Sequence, residues 1–327
     1  MVIKDSTLKK RDVETRVGAT VEIDGCEKEK ADYRRFVDYM NEKALSIGMT
    51  SSHFNDAAGM NNISCARDLL RLAAYVKRYP ILDKIWSTDT YTSRVLGPNE
   101  RTRESVSKSI HPDLDDHYRA LGRKGGTLRS STKNLFVYNL ISVLEIPDSS
   151  DQLLVVVMYA HGDNNTPENR FRAAKQIADI AISKYKNPEI TFSDTSVCCE
   201  NAIAAVMPAG GGGYDDLRIL YEKDADMPGR PMSVSKILTA ICVLDHIDDR
   251  SQTITYHEYD TDIGGFYVKD YFAGDSVTYE DALYVMMLES SNVTAQALGR
   301  AVGEILNKKR TVTFRHNRTK KRAEALK

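Results

Sequence analysis

The chain has 327 residues, of which 42% are hydrophobic and 28% charged, and its formal net charge is −1. This composition is typical of a globular protein, and the balanced charge excludes a general attraction to nucleic acid or to an anionic membrane. No apolar stretch is long enough to span a bilayer, and residues 1–16 lack the apolar core of a secretory signal, so the sequence predicts no export route. The five cysteines show no metal-binding spacing.

The first part of the chain has the pattern of a charged arm followed by helices. Residues 1–30 are charged and weakly periodic, which predicts a mobile arm. From Tyr33 onwards, apolar residues recur at three- and four-residue steps and predict a helix. A second helix is predicted over residues 66–78, with Pro80 as its stop signal. Residues 87–116 are polar and rich in turn formers, and no helix or strand is assigned to them.

The middle of the chain has the pattern of a sheet closed by a helix. Apolar runs predict strands over residues 120–129, 134–144 and 152–160. A stripe of alanine and isoleucine then predicts a helix over residues 169–184. Asn187-Pro188 marks a junction between two halves of the chain.

The second half begins with a hairpin pattern. Two apolar runs, residues 202–207 and 217–221, flank the glycine run of residues 210–213. No Gly-Lys-Ser/Thr follows those glycines, which excludes a phosphate-binding loop. The remaining predicted elements are an apolar helix over residues 233–247, a polar strand region over 252–277, a helix near 279–288 and a final helix up to about residue 305.

The end of the chain, residues 307–327, is strongly basic. Glu324 is its only acidic residue, against the basic residues Lys308, Lys309, Arg310, Arg315, Arg318, Lys320, Lys321, Arg322 and Lys327. Such a run predicts a solvated, disordered end, with a weak electrostatic contact to an anionic surface as the alternative.

One serine and one lysine have the spacing of an activated nucleophile. Ser233 and Lys236 stand three residues apart at the start of the apolar helix, so their side chains share one helix face. A serine hydroxyl becomes a good nucleophile when a base takes its proton, and burial of the lysine would keep its amine neutral for that task. The alternative is that Ser233 is only a helix cap.

Context distinguishes this pair from four other S-x-x-K matches in the chain. These begin at Ser6, Ser105, Ser130 and Ser183, and the match at Ser105 repeats the tetrapeptide SVSK. All four lie in charged, polar or helix-ending surroundings, whereas Ser233 opens a long apolar helix. The sequence therefore favours Ser233.

Two further clusters occur once each in the chain. Ser290-Ser291-Asn292 is an S-x-N triplet on a loop before a helix, where a helix cap is the alternative interpretation. Lys124-Gly125-Gly126-Thr127 is a Lys-small-Gly triplet followed by threonine, where a pair of hairpin glycines is the alternative.

The three clusters match the S-x-x-K, S-x-N and K-T/S/G-G elements of penicillin-binding proteins and class A β-lactamases. The chain resembles the low-molecular-weight D-alanyl-D-alanine carboxypeptidases over roughly residues 33–186 and 197–305. The resemblance lies in LRILYEKDADMPGRPMSVSKILTAICVLDHI, YRRFVDYMNEKALSIGMTSSHFNDAAGM and GRKGGTLRSSTKNLFVYNL with QLLVVVMYAHGDNNTPENRFRAAKQIADIAI. It implies an α/β (α+β) fold of the β-lactamase and transpeptidase type, with a five-stranded antiparallel sheet, flanking helices and a helical subdomain.

The resemblance also implies roles for the catalytic residues. Ser233 would attack the carbonyl of the penultimate D-alanine of a peptidoglycan stem peptide, and Lys236 would take its proton. Ser290 would relay a proton to the leaving amine, and Asn292 would hold the substrate amide. Water would then hydrolyse the acyl-enzyme, so no metal or cofactor is implied.

A second set of residues would bind the substrate. By the same resemblance, Lys124 and Thr127 would contact the terminal carboxylate, and Lys124 would help to depress the pKa of Lys236. Gly125 and Gly126 belong to the same strand, and Gly126 would let the substrate backbone approach closely. The backbone N–H groups of Ser233 and Thr127 would form the oxyanion hole.

The order of the motifs departs from that of the family, in which S-x-x-K comes first and the lysine-glycine motif last. Here residues 31–190 resemble the C-terminal half of the domain and residues 195–306 the N-terminal half, between the arm and the basic tail. The order is that of a circular permutation, and a slice through a tandem protein explains it equally well. Such a slice could close on itself, pair with a second copy by swapping halves, or fail to fold. We predict a closed monomer.

Three functions follow for testing. The leading hypothesis is a serine D-Ala-D-Ala carboxypeptidase that binds penicillin, with β-lactams as inhibitors and no nucleic-acid partner. A β-lactamase of the same fold is the nearest rival, although no E-x-x-x-N motif for the deacylating water is evident. The third is a non-catalytic rearranged fragment. The family works outside the cytoplasmic membrane, which implies a cell-envelope location.

Overall fold

The structure is a computed structural model that describes residues 27–130, 135–162, 164–191, 197–262 and 271–324. The helices are α1 (Glu27–Ser46), α2 (Ala66–Tyr75), α3 (Pro80–Trp86), α4 (Pro112–Asp115), α5 (Asn169–Lys186), α6 (Lys236–Leu244), α7 (Glu258–Thr261), α8 (Tyr279–Leu288) and α9 (Asn292–Glu324). The strands are β1 (Thr90–Val95), β2 (Arg101–Val106), β3 (Ala120–Ser130), β4 (Leu135–Glu145), β5 (Gln152–Ala160), β6 (Cys199–Met207), β7 (Arg218–Lys223), β8 (Thr253–Thr255) and β9 (Ser276–Thr278). Short 3-10 segments cover Val76–Arg78, Tyr214–Asp216 and Met232–Ser235.

A five-stranded antiparallel sheet of order β3-β4-β5-β6-β7 forms the centre, which confirms the predicted sheet. Strand β5 is buried on both faces because its side chains alternate between two cores. Leu154 and Val156 pack on one side of the sheet, and Leu153 and Val155 pack on the other. This double burial explains why the strand is a continuous apolar run.

The two halves of the sequence meet in this sheet. Strand β5, from the first half, pairs with β6, from the second, and Val155 lies opposite Ala204 in the register. Helix α5 covers one face of the sheet, and α2, α6 and α8 contribute to the core on the other. Both halves of the chain therefore supply residues to each of the two cores.

Helix α6 lies within the core that it shares with α2 and α8, since every residue from Lys236 to Val243 is buried. Helix α9 packs along α1 so closely that a Cβ atom on Gly303 would lie 1.7 Å from the Asp32 carbonyl oxygen. A buried ion pair between Arg300 on α9 and Asp260 on α7, with an N–O distance of 2.7 Å, ties these helices together.

Residues 87–116, to which the sequence assigned no element, contain regular structure. Strands β1 and β2 form an antiparallel hairpin there, and α4 follows. The hairpin escaped prediction because most of its side chains are exposed or half-exposed, so it lacks a clean apolar alternation. It is held to the body by Tyr91, whose ring stacks on Tyr284 at a centroid distance of 3.7 Å.

Several element boundaries also differ from the predictions. Helix α1 begins at Glu27, inside the predicted arm, of which residues 1–26 lie outside the described part. Pro80 starts helix α3 as well as following the 3-10 turn, because proline is tolerated in the first turn of a helix. The polar region near residues 252–277 contains the paired short strands β8 and β9.

The basic end of the chain is helical through Glu324, where we expected a disordered segment. No glycine or proline follows Gly303, and lysine and arginine are good helix formers, so nothing in the sequence stops the helix. Within the described residues, no helix combines the length and apolarity that crossing a membrane requires.

Candidate active site

The predicted nucleophile lies at the entry to helix α6. Ser233 belongs to the 3-10 segment Met232–Ser235, and its Oγ is 2.9 Å from Nζ of Lys236. Neither this segment nor α6 has a side-chain cap hydrogen bond, so the helix-cap interpretation of Ser233 is wrong. The hydroxyl is half-buried, whereas Lys236 is completely buried.

Two oxygens fix the orientation of the Lys236 amine. Its Nζ donates to the Ala58 carbonyl at 2.6 Å and to Oδ1 of Asn292 at 2.7 Å. A neutral amine has two N–H bonds and one lone pair. When both N–H bonds go to these oxygens, the lone pair faces the Ser233 hydroxyl. Burial lowers the pKa of Lys236 to about 7, so the neutral form is accessible near neutral pH.

A second buried lysine lies opposite. Lys124 donates from Nζ to Oγ of Ser290 at 2.9 Å. Burial lowers the pKa of Lys124 well below its ordinary value, and the positive charge of Lys236 lowers it further. Lys108, outside the predicted site, lowers the pKa of both buried lysines through its positive charge.

In the S-x-N loop, one serine caps a helix and the other belongs to the candidate site. Ser291 accepts a hydrogen bond from the backbone N–H of Thr294 at 3.1 Å and so caps α9. Ser290 instead has a left-handed backbone with φ of 65° and contacts Lys124. The cap interpretation therefore applies to Ser291 and leaves Ser290 in the site.

The lysine-glycine motif lies in the middle of β3, so the hairpin interpretation of its glycines is wrong. Strand β3 is at the edge of the sheet and runs beside the nucleophile segment. A Cβ atom on Gly126 would lie 2.6 Å from the Pro231 carbonyl oxygen and 3.2 Å from the Ser233 nitrogen. Only glycine permits this approach, and the next residue, Thr127, is exposed.

The loop of residues 55–60 belongs to the site and was not predicted. Its Asp56 carboxylate accepts from the backbone N–H groups of Gly59 at 2.5 Å and Met60 at 2.9 Å, which shapes the turn that presents the Ala58 carbonyl. Gly59 has φ of 93° and faces the Met232 carbonyl. The sequence signal was the Asp-x-x-Gly spacing in FNDAAGM, which is typical of a turn.

Arg170, at the start of α5, is a second residue that sequence reasoning missed. Its guanidinium donates to the Thr127 hydroxyl at 2.9 Å and to the Lys108 carbonyl at 3.1 Å. Burial lowers its pKa to about 10, which leaves it charged at neutral pH. A single arginine at a helix start has no sequence pattern that identifies such a role.

The other S-x-x-K serines are elsewhere. Ser105 is buried in β2, and Ser183 donates its hydroxyl to the Asp179 carbonyl within α5. The matches that begin at Ser6 and Ser130 lie wholly or partly outside the described residues. Over the described ranges, no group of three or more His, Cys, Asp and Glu side chains is arranged to hold a metal ion.

The arrangement links the three sequence-distant clusters through hydrogen bonds. Lys236 contacts both Ser233 and Asn292, and Ser290, in the same loop as Asn292, contacts Lys124 on the edge strand. Such a set can activate a nucleophile and pass a proton to a leaving group.

Comparison with known proteins gives one family. The model of the D-alanyl-D-alanine carboxypeptidase family matches residues 19–129, a range that includes the lysine-glycine motif and leaves out Ser233 and Ser290. No solved structure matches the chain.

Three curated relatives are each named D-alanyl-D-alanine endopeptidase. The Escherichia coli (strain K12) protein is 38% identical over 58 residues, which are 17% of this chain and 19% of the relative. The Haemophilus influenzae protein is 31% identical over 108 residues, 32% of this chain and 36% of the relative. The Pseudomonas aeruginosa protein is 42% identical over 55 residues, 16% of this chain and 17% of the relative. The chain thus spans well under two thirds of the length of each relative. By this family match and these relatives, the chain is similar to the D-alanyl-D-alanine carboxypeptidase family of serine hydrolases.

Proposed function

We propose that the chain is a serine D-Ala-D-Ala peptidase that acts on peptidoglycan stem peptides through an acyl-enzyme on Ser233. The observation that carries the proposal is the Lys236 amine, which is buried, has a pKa lowered to about 7 and lies 2.9 Å from the Ser233 hydroxyl. Its two other oxygen partners direct the lone pair to that hydroxyl. This is the arrangement a general base needs.

Acylation begins when Ser233 Oγ attacks the carbonyl carbon of the penultimate D-alanine and its proton moves to Lys236 Nζ. The new C–O bond forms as the carbonyl becomes an oxyanion, for which we assign the backbone N–H groups of Ser233 and Thr127 as donors. The closeness of Gly126 to the Ser233 nitrogen supports this pairing of the two backbones.

The leaving amine then needs a proton. Ser290 is bonded to Lys124, so a proton can pass from the lysine side through the serine hydroxyl as the C–N bond breaks. Asn292 orients Lys236 through Oδ1, and we assign its Nδ2 to the substrate amide. Water releases the peptide from Ser233 by the reverse proton route.

The terminal carboxylate of the substrate is the feature that defines a carboxypeptidase. Thr127 is exposed beside the nucleophile and its hydroxyl accepts from the buried, charged Arg170. Arg170 and Lys108 place positive charge on this side of the cleft. Such a subsite favours a substrate that ends in a carboxylate.

An endopeptidase that cuts cross-linked stem peptides is the second candidate, because the curated relatives carry that name. Both reactions cleave an amide after D-alanine and differ in the leaving amine. Mass spectrometry of products from a pentapeptide and from a cross-linked dimer distinguishes them. Faster release of D-alanine from the pentapeptide supports the carboxypeptidase.

Fluorescent penicillin labelling tests the acyl-enzyme. We expect the wild-type protein to be labelled and Ser233→Ala to lose the label. Ser105→Ala is the matched control, because Ser105 begins the second SVSK tetrapeptide and its buried hydroxyl has no hydrogen-bond partner. Labelling that persists in Ser233→Ala refutes the assignment. Turnover of a β-lactam as fast as that of the peptide would instead indicate a β-lactamase.

The same proposal covers assembly and location. The pairing of β5 with β6 within one chain supports a closed monomer whose motif order is that of a circular permutation. The family resemblance supports a site of action outside the cytoplasmic membrane, where the stem peptides are.

A further inference from the structure

The segment that precedes the nucleophile is held by side chains that the proposed chemistry does not use. Arg230 lies three residues before Ser233. Its carbonyl accepts from Nδ2 of Asn139 at 2.7 Å, and its N–H donates to the Tyr159 hydroxyl at 2.7 Å. Both backbone polar groups of Arg230 are therefore bonded to side chains of the central sheet.

The Asn139 side chain also holds the backbone of Tyr159. Asn139 is completely buried on β4, and its Oδ1 accepts from the backbone N–H of Tyr159 at 2.9 Å. Tyr159, on β5, has a left-handed backbone with φ of 54°. That conformation is uncommon for an aromatic residue and persists where the surroundings impose it. The bond to Asn139 is one such constraint.

The opposite side of the segment is fixed as well. Gly229 exchanges two backbone hydrogen bonds with Ser64, at 2.7 Å and 2.9 Å. Met232, directly before the nucleophile, has φ of 52°, a second left-handed non-glycine conformation. The five-residue segment 229–233 is thus bonded on both sides and kept in a backbone conformation it would not adopt alone.

We propose that Asn139 and Tyr159 are positioning residues that set the place of Ser233 Oγ through the backbone of Arg230. The inference rests on the proposed function, because Ser233 must be the nucleophile. A nucleophile displaced by a fraction of an ångström loses its alignment with both base and carbonyl, so its rate falls while substrate contacts elsewhere remain.

The test compares two tyrosine hydroxyls. Tyr159→Phe removes the acceptor of the Arg230 N–H, and Tyr185→Phe removes a similarly half-buried hydroxyl that donates to Asp151 at 2.9 Å in another part of the fold. The readouts are the saturating rate and half-saturating concentration of penicillin acylation, with the thermal midpoint. Tyr159→Phe is expected to lower the saturating rate on the order of tenfold and to leave the half-saturating concentration within about twofold.

The hydrogen bonds that join Asn139 and Tyr159 to the Arg230 backbone form a clamp on the nucleophile segment. The pH midpoint of acylation should not move in Tyr159→Phe, because this clamp carries no charge. Asn139→Ala should lower the saturating rate further; if it does not fold, Tyr159→Phe decides alone. Equal saturating rates in the two tyrosine variants refute the clamp and leave Tyr159 a structural residue. A wild-type protein without labelling refutes the proposed function. In that case hydrogen exchange at the Arg230 amide judges the clamp, and exchange no faster in Tyr159→Phe than in Tyr185→Phe refutes it.

Discussion

Gly126→Ala is a one-methyl perturbation of the contact between the edge strand and the nucleophile segment. The new Cβ atom would lie 2.6 Å from the Pro231 carbonyl oxygen and 3.1 Å from Cβ of Met232. Both neighbours belong to the rigid segment that leads into Ser233, so neither can rotate away as a flexible side-chain end would. The two backbones must therefore move apart.

The size of that movement sets the expected loss. An ordinary contact needs 3.4 Å, so relief of the 2.6 Å approach requires a separation of about 0.8 Å. Misplacement by about 1 Å costs on the order of 10²-fold in rate, or about 2.7 kcal/mol of transition-state stabilisation. We expect the acylation rate constant of Gly126→Ala to fall by nearly that factor.

The assay is the second-order rate constant for fluorescent penicillin, measured beside thermal unfolding. Gly210→Ala is the matched control, because a Cβ atom there meets no atom within 4 Å in the turn between β6 and β7. If Gly126→Ala acylates within twofold of Gly210→Ala, the close approach of the two backbones has no part in the chemistry and the reasoning fails.

Three other predictions concern the Lys236 base, a buried ion pair and the assembly of the protein. The acylation rate should rise about tenfold per pH unit up to about pH 7, because Lys236 is a base only when neutral. Lys108→Gln removes a positive charge that lowers the pKa of Lys236, so the midpoint of this pH profile should move to higher pH. An unchanged midpoint contradicts the role of Lys108. Arg300→Met should lower the free energy of unfolding in urea by about 3–5 kcal/mol, because Asp260 stays buried without its partner. Arg94→Met, in an exposed ion pair with Glu100, should lower it by less than about 1 kcal/mol. Equal losses of free energy in the two variants would show that burial of the ion pair does not matter. Sizing chromatography should give a monomer near 36.7 kDa, and a dimer that loses activity on dilution would indicate swapped halves.

Much of the fold was predictable because burial leaves a periodic trace. The sheet strand β5 is apolar on both faces, and helix α5 has one apolar stripe, so both were identified from sequence. The β1–β2 hairpin left no such trace, because tertiary contacts such as the Tyr91–Tyr284 stack hold it. The helical end of α9 was missed for a related reason, since charge composition predicts solvation and does not by itself exclude a helix.

The candidate site divides in the same way. The sequence by itself determined which residues we propose for the chemistry, because the spacing of Ser233 and Lys236 places them on one helix face. Only the tertiary structure decided that Lys124 and Ser290 meet beside them, that the Ala58 carbonyl directs the amine, and that Arg170 backs the edge strand. Contacts between residues distant in sequence depend on how the elements pack. No sequence pattern indicates which partner a backbone carbonyl or a single arginine will contact.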